Sequence, residues 1–179
     1  AGRSRFLRQA SRWLDEELRR QILPDGGHIS RNPAVIVDLL LDLLPLRQTY
    51  SVRDVAPSQV LLNAIDRMMP MLRFFRHPDG ALAHFNGMGP TSADLLATIL
   101  AYDDARGTPV QSAVYSGYQR LEASGSVVIV DTGPPPPPLI SRDAAAGCLS
   151  FELSSGSCRI VVNCGMPSFP DPSWRWVAR

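Results

Sequence analysis

Tyr118-Gln119-Arg120-Leu121-Glu122-Ala123-Ser124-Gly125-Ser126-Val127-Val128-Ile129-Val130-Asp131 is the stretch on which the fold is decided. Two runs with an apolar period of two, Gln119–Ala123 and Ser126–Asp131, flank the turn pair Ser124-Gly125 and predict a β-hairpin. A second hairpin is predicted downstream, with Leu149–Leu153 and Ser157–Asn163 flanking Ser154-Ser155-Gly156. Between them lie Gly133 and the run Pro134 to Pro138. Such a run takes the polyproline II conformation and cannot continue a ladder, so it predicts a stiff loop joining strands. Recognition by a proline-binding partner is the other role it permits.

Upstream of about residue 115 the period is helical. Leu7, Ala10, Leu14 and Leu18 recur at three- and four-residue steps with arginines opposite, predicting an amphipathic helix over 4–22. Pro24-Asp25-Gly26-Gly27 ends it as a turn. Asn32-Pro33 then supplies an N-cap with proline at the first helical position. The helix that follows, from Ala34 to Leu46, is apolar nearly all round and should be buried. A third helix, Ser58 to Arg76, carries Leu61, Leu62, Ile65, Met68, Met69, Leu72 and Phe75, with Pro70 expected to kink it. Thr91 followed by Asp94 predicts the cap of a fourth helix reaching about Arg106. Leu40, Leu44, Leu61, Ile65, Leu72, Leu96 and Leu100 are the expected helical core. The fold class is therefore α+β: a helical portion, then an antiparallel β-sandwich portion.

The 179 residues are 45% hydrophobic and 20% charged, which is globular rather than disordered composition. A formal charge of +1 excludes the strongly basic field of a dedicated nucleic-acid binder. No apolar run approaches the ~20 residues of a membrane-spanning helix. Every one of the 18 basic side chains is arginine, as expected of a GC-rich genome, and each offers a planar fork for carboxylate or sulfate. Cys148, Cys158 and Cys164 form no C-x-x-C pair and read as buried free thiols in strands. His28, His77 and His84 stand at spacings that do not suit a zinc site, so no metal and no cofactor is expected.

An ordered set of segments then carries a resemblance. It comprises Gln21-Ile22-Leu23-Pro24-Asp25-Gly26-Gly27-His28-Ile29-Ser30-Arg31-Asn32-Pro33, Met71-Leu72-Arg73, Pro78-Asp79-Gly80 and Phe85-Asn86-Gly87. It continues through Ser116-Gly117-Tyr118-Gln119-Arg120-Leu121, Asp131-Thr132-Gly133, Leu149-Ser150-Phe151-Glu152-Leu153 and Val162-Asn163-Cys164-Gly165. Together these resemble the heparinase II/III family of polysaccharide lyases. The resemblance implies a helical α/α toroid followed by an antiparallel β-sandwich, with a glycan cleft between. Residues 1–112 would be the C-terminal part of the toroid and 116–179 the N-terminal part of the sandwich, an internal piece of a longer protein. It further implies β-elimination on a uronate-containing acidic polysaccharide such as a glycosaminoglycan, in a periplasmic protein. Free thiols point instead to the cytoplasm.

Elimination needs a neutraliser for the uronate carboxylate, a base for the adjacent proton and an acid for the leaving oxygen. Family members resemble one another in a Ser-Pro-x-Tyr-His segment and a His-x-His-x-Asp segment, the latter helping some to bind zinc. Aligned on Pro33, the tyrosine falls on Val35 and the histidine on Ile36. Aligned on Leu149-Ser150-Phe151-Glu152-Leu153, the second segment falls on Asp143-Ala144-Ala145-Ala146-Gly147. Valine and alanine move no protons, so impaired catalysis is expected. His28 and Arg31 are the remaining candidates for chemistry, and Ser30, His84, Asn86 and Arg142 for binding glycan. Arg31 could grip a carboxylate through its fork or pair with Asp25 or Asp38. Arg142 and Asp143 are expected at the domain junction. Trp174 and Trp176, two apart, are expected to pack as strand residues. The alternative to a lyase is a non-catalytic glycan-binding relative, or an intracellular structural one.

Overall fold

The computed structural model describes residues 2–102, 109–144, 147–167 and 173. Four helices come first: α1 (Gly2–Gln21), α2 (Pro33–Val52), α3 (Gln59–Phe74) and α4 (Ala93–Leu100). An antiparallel sheet follows, built from β1 (Ser112–Ala113), β2 (Tyr118–Ala123), β3 (Ser126–Asp131), β4 (Phe151–Ser155) and β5 (Cys158–Val161), paired in chain order. The α+β reading stands.

α3 packs against both α1 and α2, and α2 against α4. Asn32 caps α2 by accepting the amide of Ala34 at 2.9 Å, with Pro33 as its first residue. The helix runs through Pro45 to Val52, past the expected stop at Leu46. Pro45 is exposed and removes one backbone donor, yet the helix continues through it. α4 starts one residue later than expected, capped by Ser92, and ends at Leu100. The continuation towards Arg106 falls partly outside the described residues. Leu40, Leu44, Leu61, Ile65, Leu72 and Leu96 are buried in one cluster, whereas Leu100, at the last turn of a short helix, is only partly covered.

In the sheet, Tyr118 pairs with Asp131 and Ala123 with Ser126. The second hairpin turns later than predicted. Gly156, at φ +53, takes the turn, and Ser154 and Ser155 stay in the ladder. Tyr118, Arg120, Val127, Ile129, Asp131, Glu152 and Ser154 line one face, all buried. Leu121, Phe151 and Ile160 are exposed on the sheet. The cysteines depart from expectation: all three are exposed, Cys158 on the last described strand and Cys148 and Cys164 in loops. Trp174, Trp176 and Ala145 lie outside the described residues.

Candidate functional site

Two of the candidates, Arg31 and Asn86, come together where the α1–α2 turn and the segment after α3 meet the buried face of the sheet. The centre is Arg31, held at φ +59 just before α2. Its Nε donates to the carbonyl of Ser116 at 2.8 Å. One terminal nitrogen donates to the Pro134 carbonyl, and the other to the Gly117 carbonyl and the Asp131 carboxylate. The guanidinium also lies 4.9 Å from the centre of the Tyr118 ring. Arg31 therefore spends its fork inside the protein. The pairing with Asp25 or Asp38 is corrected to Asp131, because Asp25 instead accepts the amide and hydroxyl of Ser116 at 2.7 and 3.0 Å.

Asp131 is fully engaged as well. It takes Asn86 Nδ2 at 3.1 Å and the amide of Gly133 at 3.1 Å in addition to Arg31. Asn86 donates to the Tyr118 hydroxyl at 2.7 Å, and that hydroxyl donates to the Arg31 carbonyl at 2.6 Å. Tyr118 stands edge-on to Phe75 at 4.9 Å and tilted against Phe85 at 5.2 Å. Burial first, and the neighbouring Asp131 carboxylate second, push its phenol well above the ordinary range despite Arg31. It stays a neutral hydroxyl. Gly133 has no alternative here: a Cβ would stand 2.6 Å from the Arg31 guanidinium.

A second buried cluster lies alongside. His77 is fixed between Ser154 Oγ (2.8 Å, on Nδ1) and Glu152 Oε2 (3.0 Å, on Nε2). The other Glu152 oxygen accepts the amides of His84 and Asn163 at 2.8 and 3.1 Å. Ser154, His77 and Glu152 are a triad in composition, but all three are buried and each ring nitrogen is occupied. They form a latch between the segment after α3 and strand β4.

The other candidates scatter around these clusters. His28 is buried, bonded to Ser30 Oγ at 2.7 Å and Gln21 Oε1 at 3.1 Å, and burial lowers its pKa. Ser30 is thereby committed to His28 and to the amide of Asn32. His84 is half-buried, with its Nδ1 enclosed and without a hydrogen-bond partner among the described residues. Burial lowers its pKa, with Glu152 opposing. Arg142 is exposed on the β3–β4 connection, and the backbone of the next residue, Asp143, abuts Gly87. Val35 is half-buried at the start of α2. A cavity of about 620 Å³ opens between the Arg31–Asp131–Asn86 cluster and the loop carrying Pro136, Ser141 and Cys148. On its polar floor, Arg31, Asp131 and Asn86 are bonded to one another and to the backbone.

Residues 105–179 match the family model described as Heparinase II/III-like, C-terminal. That part of the chain resembles the heparinase II/III-like C-terminal domain. The solved structure of heparinase III superposes with a TM-score of 0.74 at 14% identity, over 94% of this chain and 33% of that one. Heparan sulfate lyase HepC from Pedobacter heparinus gives 0.70 at 16% identity, over 93% and 30%. At that identity the likeness is one of fold. FtsZ-localized protein C of Caulobacter vibrioides (strain NA1000 / CB15N) is 37% identical over 152 residues, covering 85% of this chain and 26% of its own length. The chain thus spans about a quarter to a third of the heparinase-like proteins and relatives it matches. Asp131 and Glu152, the two carboxylates that organise the junction, were not among the candidates. Strand parity could have found them, since Val127 and Ile129 facing inward put Asp131 inward too.

Proposed function

We propose that the protein containing this chain keeps a heparinase-like framework, with 1–112 as the end of a toroid and 116–179 as the start of a sandwich, to bind an acidic glycan without cleaving it. One observation carries this reading: neither His28 nor Arg31, the two candidates for chemistry, is poised for proton transfer. Val35 occupies the position that the resemblance gives to a tyrosine. His28 is bonded at both ring nitrogens, and Arg31 is consumed by Asp131 and backbone carbonyls. Missing general acid–base groups cost ~10²–10⁴-fold each. Arg142, exposed on the β3–β4 connection beside the junction, is the cationic side chain proposed to meet a polyanion there.

The test is elimination on heparan sulfate and alginate by the full protein, followed through ultraviolet absorbance of the unsaturated uronate. No turnover is expected, together with retention on immobilised heparan sulfate that weakens in Arg142→Ala. Robust turnover, abolished by His28→Gln, overturns the reading.

A second reading is favoured by the 37% identity to FtsZ-localized protein C, well above the identity to the lyases. In it the framework serves partner binding, including to FtsZ. Co-sedimentation with FtsZ filaments, without retention on heparan sulfate, selects it.

A further inference from the structure

The proline run has a burial pattern that neither reading uses. Gly133 and Pro136 are buried, whereas Pro134, Pro135, Pro137 and Pro138 are exposed. Polyproline II repeats every three residues, so this burial places one edge of the helix on the protein and leaves the other two exposed, with Pro135 and Pro138 at the rim of the cavity over Arg31 and Asp131. Pro137 has φ −52 and ψ 141, an extended proline backbone close to that conformation. The inward edge is fixed at its start, where Arg31 donates to the Pro134 carbonyl and Gly133 packs on the same guanidinium. At its far end the chain turns through a single 3-10 turn, Pro138–Ile140, closed by the Ile140 amide on the Pro137 carbonyl at 2.9 Å. Leu139, next to the outward edges, is 98% exposed.

We propose that Pro134–Pro138 is a docking ridge for a protein partner with an aromatic-lined polyproline groove. Such grooves take two adjacent edges of a polyproline helix and leave the third free, which is the pair offered here by Pro134/Pro137 and Pro135/Pro138. The run is already ordered and backed by the junction, so docking pays little conformational entropy. A side chain such as Leu139 adds apolar contact at the rim. The exposed edges carry no charge, which fits an aromatic groove and not a nucleic acid or an anionic surface. This inference does not depend on the glycan reading.

The test uses the full protein and two probes with aromatic polyproline grooves, a fluorophore-labelled SH3 domain and a labelled profilin, read by anisotropy. Binding to at least one probe is expected. It should weaken by about tenfold or more in Pro135→Ala/Pro138→Ala and in Pro134→Ala/Pro137→Ala, as loss of one edge requires. Leu121→Ser, on the exposed face of the sheet, should bind like the parent. Far-ultraviolet circular dichroism matching the parent shows that the edge variants are folded. The proposal is overturned if the parent binds neither probe, if folded edge variants bind as the parent does, or if a free peptide of residues 133–142 binds where the protein does not.

Discussion

The α2–α3 core and the helix–sheet junction are both buried, and they are held together by opposite means. Leu40, Leu44, Leu61, Ile65, Met68 and Leu72 pack in the helical core with no polar atom to satisfy. The junction buries Arg31, Asp131, Asn86, His77, Glu152 and Ser154, each of which must be partnered or pay for desolvation. Apolar packing tolerates neighbours of similar size, because dispersion and burial have little direction. A hydrogen-bonded network does not, because removing one member leaves another charged or polar and buried. The contrast teaches where this protein is specified: the core makes the helices collapse, and the junction fixes how the sheet sits on them.

The largest effect expected is at the junction. Asp131→Ala strands the Arg31 guanidinium and should cost about 3–5 kcal/mol, read as the midpoint of denaturant unfolding. Asp131→Leu combined with Arg31→Met should recover a large part of that loss, since removing both charges removes the unpaired one. Equal losses in single and double variants would mean that shape, and not charge pairing, dominates there. Next comes the core. Leu40→Ala should cost about 2–5 kcal/mol through lost burial and the cavity left behind. A parent-like midpoint would remove α2 from the core and erase the contrast.

What was legible in the sequence follows the same division. The helices read off their period, and the Asn32-Pro33 cap off its residue types, because both signals lie within a few neighbouring positions. Ser124-Gly125 likewise announced its hairpin. The junction bonds join residues far apart in sequence: Arg31 to Asp131, His77 to Glu152, Asn86 to Tyr118. Local pattern carries no record of a partner that distant. Arg31 and Asn86 were picked out as candidates to meet a glycan, yet the structure turns them inward onto Asp131 and Tyr118. The turn at Gly156 departs from the expected Ser154-Ser155-Gly156 for a related reason. Ser154 looks like a turn residue in isolation, and its bond to His77 holds it in the strand. The cysteines are exposed against expectation because a general preference for burial says nothing about a last described strand or a loop.

A smaller effect sharpens the comparison at the boundary of the helical core. Ser58 caps α3 by accepting the Leu61 amide at 3.1 Å while donating to Asp15 of α1 at 2.6 Å. Ser58→Ala should cost about 0.5–2 kcal/mol as a lost cap, with Ser58→Asn nearer the parent if capping is the main role. Loss of the same size in both variants would assign the effect to the bond with Asp15.

The smallest expected effect is one of pH, and it belongs to the junction alone, since the apolar core carries no titrating group. Burial lowers the pKa of His28 and His84 in the folded protein. In the unfolded chain both return to the ordinary histidine value of about 6.5. Between the depressed folded pKa and that value, the unfolded chain binds more protons than the folded one, so stability rises with pH across the interval. The contribution is complete above the ordinary value and is lost as pH falls below it. Denaturant midpoints should therefore drop between about pH 7.5 and pH 5 by an amount that His28→Gln reduces. Glutamine keeps a donor and an acceptor for Ser30 and Gln21, so the variant tests charge more than packing. Leu40→Ala should shift the whole curve downward without changing its slope. If His28→Gln leaves the slope untouched while His84→Gln flattens it, the pH response sits at the Glu152 side of the junction, where His84 shares that carboxylate with His77.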